Sequence, residues 1–248
     1  MNTLPSIGLS LLTGICLSLS SCGNNSSGTD QSKTDSSTTV TTTDSSTHAT
    51  ASTVNTTPQN MLIIMHKVAN YEKWKMSYDS HDSVRLALGI HNYVIGRGVK
   101  DSNMVMVVMK VDDTAKAMAF EKDPGLKKRM EKGGVIGTPT MELVTALYQD
   151  TAQLESKLRS FLTITVKDWN TWLKLFQQGE QERTSNGLAV RTYGHDASNP
   201  NKVAVATALV DSAKAMAYFQ SDLLKKRMDS SGVTGKPERF LYRIAQKY

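Results

Sequence analysis

The chain has 248 residues, 39% of them hydrophobic and 21% charged, with a formal net charge of +6. The basic excess is scattered as single residues and short Lys-Lys-Arg clusters, without the long basic block or basic-aromatic tract of a nucleic-acid surface, so no nucleic acid is expected as a partner. Both cysteines, Cys16 and Cys22, stand near the start, which excludes disulfide, thiolate-metal and cysteine-nucleophile chemistry from everything downstream.

Residues 1–22 read as a lipoprotein signal peptide. Ile7 to Leu19 is an apolar stretch too short to span a bilayer. It runs into Leu19-Ser20-Ser21-Cys22 followed by Gly23, which resembles a bacterial lipobox. Cys22 is therefore the candidate lipidation site, although the segment before Ile7 lacks the usual Lys or Arg. Residues 23–60 are Ser, Thr, Asn, Gly and Asp with almost no apolar side chain. Such a tract buries too little surface to offset its ordering entropy, so a disordered tether is expected. Together these features predict a cell-envelope protein, lipid-anchored and periplasm-facing, with the membrane as a partner through its N-terminal lipid.

The rest of the chain says one thing twice. Ala115-Lys116-Ala117-Met118-Ala119-Phe120, Leu126-Lys127-Lys128-Arg129-Met130 and Gly134-Val135-Ile136-Gly137-Thr138-Pro139 return, shifted by 98, as Ala213-Lys214-Ala215-Met216-Ala217-Tyr218, Leu224-Lys225-Lys226-Arg227-Met228 and Gly232-Val233-Thr234-Gly235-Lys236-Pro237. The shift also places Trp74 on Trp172, Arg85 on Arg183 and Gly96 on Gly194. About a quarter of roughly ninety paired positions are identical without a gap, the signature of an internal duplication. A first unit of residues 61–150 and a second of 159–248 are joined by residues 151–158, in which a short helix is expected.

In the first unit, Leu62 to Val68 reads as a strand from its short β-branched apolar run. A helix from Tyr71 to about Leu88 follows, with Tyr71, Trp74, Tyr78 and Leu88 on one face. Ile90 to Val99 and Met104 to Val111 are strands around a turn. Asp113 N-caps a second helix, which Asp123-Pro124-Gly125 interrupts before a further helical stretch to Lys132. The segment 133–139 reads as a glycine-rich turn and Thr140 to Leu147 as the last strand. The order β-α-β-β-α-β is that of a ferredoxin-like unit, and the second copy repeats it.

A unit that opens His-Lys-Val-x-x-Tyr-x-x-Trp (His66 to Trp74), continues Asp-x-Ala-Lys-Ala-Met-Ala (Asp113 to Ala119) and carries Gly-Val-x-Gly-x-Pro (Gly134 to Pro139) resembles the dimeric α/β barrel superfamily. Its antibiotic-biosynthesis-monooxygenase-like members are the nearest group. Members pair two single domains through their sheets. The resemblance implies α+β architecture in which two tandem ferredoxin-like units form an intramolecular pseudo-dimeric barrel, monomeric as a chain. The superfamily includes cofactor-independent oxygenases, haem-degrading enzymes, isomerases and members without assigned chemistry, so it constrains activity weakly.

Two groups of residues are candidates. His66 shares a strand face with Leu62, Ile64 and Val68, and the resemblance places a pocket between that face and the helices. His66, Trp74, Tyr78, His81 and Arg97 are the expected lining, with Ile164, Phe176 and Gly179 replacing His66, Tyr78 and His81 in the copy. On the second strand, parity groups His91 and Tyr93 with Ile95 and Arg97, and in the copy Arg191, Tyr193 and His195 with Ala189. His91, Tyr93, Arg191, Tyr193 and His195 are candidates for the barrel interface. They form either a cavity for a small anionic or aromatic ligand, with Arg as charge partner, or a hydrogen-bonded polar core that fixes how the units dock. The duplicated Arg85 and Arg183 read as cations at helix C-termini. No metal-ligand spacing, dinucleotide fingerprint or catalytic triad order stands out, and no cofactor is expected; haem would need His66 beside a large apolar slot. The sequence favours an envelope lipoprotein that binds a small hydrophobic or aromatic ligand or a protein partner without catalysis. The alternative is a cofactor-independent monooxygenase-like enzyme acting on an aromatic substrate in the first unit.

Overall fold

The computed structural model describes residues 52–248. The signal segment 1–22 with Cys22, and residues 23–51 of the expected tether, lie outside the described residues. Nine strands and eight helices follow among the described residues. The first unit comprises β2 (Gln59–Val68), α1 (Tyr71–Asp79), α2 (Asp82–Ala87), β3 (Ile90–Gly98), β4 (Met104–Val111), α3 (Thr114–Glu121), α4 (Pro124–Lys132) and β5 (Val135–Asp150), preceded by the two-residue β1 (Val54–Asn55). The second comprises β6 (Leu158–Val166), α5 (Trp169–Gln178), α6 (Glu180–Ser185), β7 (Leu188–Asp196), β8 (Lys202–Leu209), α7 (Ser212–Phe219), α8 (Asp222–Ser230) and β9 (Val233–Lys247).

Each unit is a four-stranded antiparallel sheet, in the orders β5-β2-β4-β3 and β9-β6-β8-β7. β3 pairs β9 and β5 pairs β7, all antiparallel, so the two sheets close into one eight-stranded barrel with helices outside. Alternation along the strands then splits the core. Leu62, Ile64 and Val68 join Val105, Val107 and Met109 beneath α1 and α3, whereas Ile63 and Met106 meet Phe161, Ala204 and Tyr242 inside the barrel.

The seams need backbones in close approach. Gly96 lies opposite Ile244 on one seam and its copy Gly194 opposite Ala146 on the other. A Cβ on Gly194 would meet the Thr145 carbonyl oxygen at 2.1 Å, and one on Gly96 the Tyr242 ring at 2.3 Å. The duplicated glycine is thus a requirement of closure.

Several expected boundaries move. Strand pairing begins before residue 61: β1 pairs Gln149 and Asp150, and β2 starts at Gln59. Residues 151–157 contain no helix; they run as irregular chain between β5 and β6. The single helix to Leu88 is two, because the Ser80 hydroxyl donates to the Ser77 carbonyl and ends α1 there; Gly179 makes the same break in the copy. Only Gly133 and Gly134 of the glycine-rich segment form a turn. Residues 135–139 are the start of β5, which is hydrogen-bonded to β2 on both sides of a bulge. The bulge holds Gly137, at φ +74°, and Pro139 opposite His66, the place in a sheet where a residue without an N–H is tolerated.

Candidate functional site

His66 sits mid-strand on β2, paired across to Val105 on β4. Parity sends its ring outward, under α1, where Trp74 lies against it with ring centroids 5.3 Å apart. The side chain is buried, 4% exposed, and neither ring nitrogen has a hydrogen-bond partner among the described residues. Burial pushes its pKa down from 6.5 to about 4, so at neutral pH the imidazole is uncharged, with one donor and one acceptor unsatisfied.

Above His66 is a cleft of about 70 Å³ walled by Ile64, Trp74, Tyr78, Val107, Met109 and Phe120. His81 and Arg85 reach it from the α1–α2 break. His81 holds the Ser77 carbonyl through Nδ1 at 2.6 Å. Arg85 donates to the Tyr78 carbonyl at 2.8 Å and to Asp82 at 3.2 Å, yet its Nε is buried without a partner. Its guanidinium lies 3.8 Å over the Tyr78 ring, and Tyr78 stacks on Trp74 at 5.1 Å. The Tyr78 hydroxyl donates to Asn92 and is pushed up by burial. Two unsatisfied polar groups, His66 and Arg85 Nε, thus line one space, with Ser77, His81 and Arg129 as its other polar lining.

The second unit repeats the frame with a different floor, where the buried Thr207 hydroxyl is the polar group without a partner. Trp172 stacks on Phe176, and Arg183 lies over Phe176 with Nε again unpartnered. Ile164 replaces His66. Where the first unit has exposed Val84, the second has Glu182, whose carboxylate clamps Arg227 and accepts from the Tyr218 hydroxyl across the cleft. The aromatic ladder and its arginine are therefore common scaffolding, and His66 is what distinguishes the first cleft.

The remaining candidates separate. Arg97 is not in the cleft: its guanidinium covers the far end of the ladder, 4.0 Å over Tyr71, and donates to the Ser102 carbonyl at 2.8 Å. His195 occupies the matching place, edge-on to Trp169 at 4.8 Å. Tyr193 also faces the helices, against Phe176 and stacked on Tyr148. His91 pairs Asp112 at 2.8 Å on the surface. Only Tyr93 and Arg191 line the barrel interior. The cause is a pair of bulges at equivalent places, between Asn92 and Val94 and between Val190 and Thr192. Each inserts one residue, Tyr93 or Arg191, and reverses the face of everything after it.

The barrel interior holds a second cavity, of about 250 Å³, with walls from Met61, Ile63, Met106, Val144, Phe161 and Ala204. Asp150 pairs Arg191 there at 2.6 Å. Arg159, 7% exposed, also lines it and donates to the Ser156 and Leu158 carbonyls at 2.6 and 3.0 Å. Sequence reasoning missed Arg159 and Arg85 as lining groups. The signal for Arg159 was the contrast with Met61 at the matching position on an inward face.

Among the described residues, no group of three His, Cys, Asp or Glu side chains stands close enough to hold a metal ion. Haem does not fit the cleft as formed, since even benzene occupies a cavity of about 150 Å³.

No family model matches the chain, and no curated protein matches it. Solved structures do. An anthrone oxidase-like protein is similar at 10% identity with a TM-score of 0.58, over 79% of this chain and 95% of its own. A monooxygenase candidate from Lactobacillus acidophilus NCFM is 10% identical, TM-score 0.51, over 77% and 95%. Another from Fusobacterium nucleatum subsp. nucleatum is 12% identical, TM-score 0.50, over 76% and 93%. Likeness at this level shows the fold alone: this chain has the α/β barrel fold of monooxygenase-like ferredoxin-fold proteins, with both halves in one polypeptide.

Proposed function

We propose that the chain is a lipid-anchored envelope protein that binds, in its first-unit cleft, a small flat aromatic molecule bearing a hydroxyl or carbonyl group. The observation that carries this reading is His66, buried with both ring nitrogens unsatisfied at the floor of an aromatic-walled space. An unmade buried hydrogen bond costs about 1–3 kcal/mol, so a ligand that completes it binds with that advantage. The same burial disfavours catalysis by proton abstraction. A base titrating near 4 is too weak for the task, for which a pKa near the working pH is best.

The cleft as formed is smaller than a benzene cavity, so accommodating the ligand requires α2 to move outward. That short helix ends the cleft through Val84 and Arg85. The test is a panel of phenols and naphthols read by thermal shift and by quenching of tryptophan fluorescence. Binding by wild type and its loss in His66→Ile support the reading. Equal binding by both, or no binding by any member, overturns it. The anchor is tested separately: Cys22→Ser moves the protein from the membrane fraction to the soluble one, and retention at the membrane refutes it.

A further inference from the structure

We infer that the barrel interior is a second binding site, for a carboxylate on a compact apolar body, and that the chain between the two units forms its polar end. The cavity is distinct from the His66 cleft, lying on the opposite face of the sheet. At about 250 Å³, against about 150 Å³ for benzene, it has room for a body of roughly ten non-hydrogen atoms.

Its charge is unbalanced. The guanidiniums of Arg159 and Arg191 lie in the wall, and Lys157 and Lys247 stand at its rim. The single carboxylate among these lining groups, Asp150, is taken by Arg191. Arg159 has no carboxylate partner among the described residues; its hydrogen bonds go to two backbone carbonyls of its own segment. Burial pushes the Arg159 pKa down, and the neighbouring Arg191 adds to the effect. A buried guanidinium facing a like charge is a costly arrangement that an anion relieves, and its planar fork matches a carboxylate.

The duplication shows that this end is specialised rather than inherited. The positions matching Arg159, Arg191, Asp150 and Lys157 in the other unit are Met61, Tyr93, Tyr248 and Gln59. Cations therefore gather where β6, β7 and the inter-unit segment meet, while Met61, Ile63, Met106 and Val108 make the opposing wall apolar. Ala152, Gln153, Leu154 and Ser156 of the inter-unit segment close over the charged end. The site is amphipathic, and so is the ligand it fits.

The experiment is calorimetric titration of the full chain with 3-cyclohexylpropionate and with the neutral alcohol 3-cyclohexylpropanol, saturated bodies outside the flat aromatic class assigned to the His66 cleft. The carboxylate binds at least about tenfold more tightly than the alcohol, with a Kd below about 1 mM. Arg159→Met weakens the carboxylate at least about tenfold and leaves the alcohol unchanged. Ala206→Phe, which fills the cavity from a position matched by Val108, abolishes both. Should Arg159→Met fail to fold, Lys247→Met at the exposed rim gives a smaller loss confined to the carboxylate. His66→Ile, which alters only the outer cleft, leaves the titration as in wild type, so failure of one site is told from failure of the other. Absence of heat with the carboxylate, equal binding of the alcohol, or binding that survives Ala206→Phe overturns the assignment.

Discussion

Replacing His66 with isoleucine transplants into the first unit the residue its copy already carries at position 164, buried in the same place between sheet and helix. The exchange removes a buried imidazole whose two nitrogens find no partner, a defect that costs about 1–3 kcal/mol. The variant is therefore more stable at neutral pH by about 2 kcal/mol, which for a domain of this size raises Tm by roughly 4–8 °C. The gap widens in acid. Folding lowers the pKa of His66 from 6.5 to about 4, so the unfolded chain takes up its proton first. The stability that the neutral ring allows is complete above pH 6.5 and is lost as pH falls through 4. At about 1.36 kcal/mol per pH unit the additional loss reaches about 3 kcal/mol. Parallel thermal melts of wild type and His66→Ile between about pH 7 and pH 4 measure it. The depressed carboxylates, Asp101 and Asp196 among them, are common to both proteins and cancel in the difference. A variant no more stable than wild type at pH 7, or a difference flat with pH, refutes the picture of an unsatisfied neutral histidine.

Three further outcomes follow from the packing. Gly194→Ala destabilises by at least about 3 kcal/mol and Gly96→Ala by less, because the first clash is with backbone and the second with a ring that can tilt; denaturant midpoints rank them. Glu182→Gln releases Arg227 and weakens the Tyr218 contact, for a loss of about 2 kcal/mol at pH 7. Arg227 holds the Glu182 carboxyl below its ordinary pKa, so that loss fades as pH drops through the native value, and urea titrations at two pH values check the sign. Ligand entry by movement of α2 makes Asp82–Ala87 the segment whose amide exchange slows most when a phenol binds; unchanged exchange there places the ligand elsewhere.

The architecture was legible because a duplication that never slips carries its own register. Any strand or helix read in one unit was checked by the other, and Asp113, Asp168 and Asp211 cap their helices as N-cap chemistry requires. Parity on β2 was equally safe: β-branched and apolar residues fill both faces, and the ladder to β4 is unbroken across His66. On β3 and β7 the same reasoning failed after one residue. A bulge leaves no mark in a strand whose two faces are both mixed, and the reversal past Tyr93 and Arg191 sent Arg97, Tyr193 and His195 to the helix side. Gly137 and Pro139 were misread for a related reason. They punctuate the chain as strongly in a bulged strand as in a turn, and only the pairing of Ile136 with Lys67 and of Thr140 with Met65 tells the two apart. Arg159 was hidden because β6 begins at Leu158, whereas the apolar run marks the strand only from Phe161.

Joining the two halves in one chain changes what the barrel can contain. In a symmetric dimer every inward residue appears twice, so a bulge carrying Arg191 would face its own copy, and two guanidiniums would share one cavity with no differing neighbour to separate them. Here the equivalent bulge carries Tyr93, and Arg191 is free to pair with Asp150, whose own counterpart is Tyr248. The same freedom lets the first cleft keep His66 while the second, of equal volume, carries Ile164 and the Glu182–Arg227 clamp. Each unsatisfied polar group that points to a ligand sits beside a position where the two copies differ, and the scaffold that holds it sits where they agree. A designed chain in which the second unit is replaced by a copy of the first would retain the fold and both His66-type clefts. It would lose Arg159, Arg191 and the charged end of the barrel, and with them the preference for an anion over its neutral analogue.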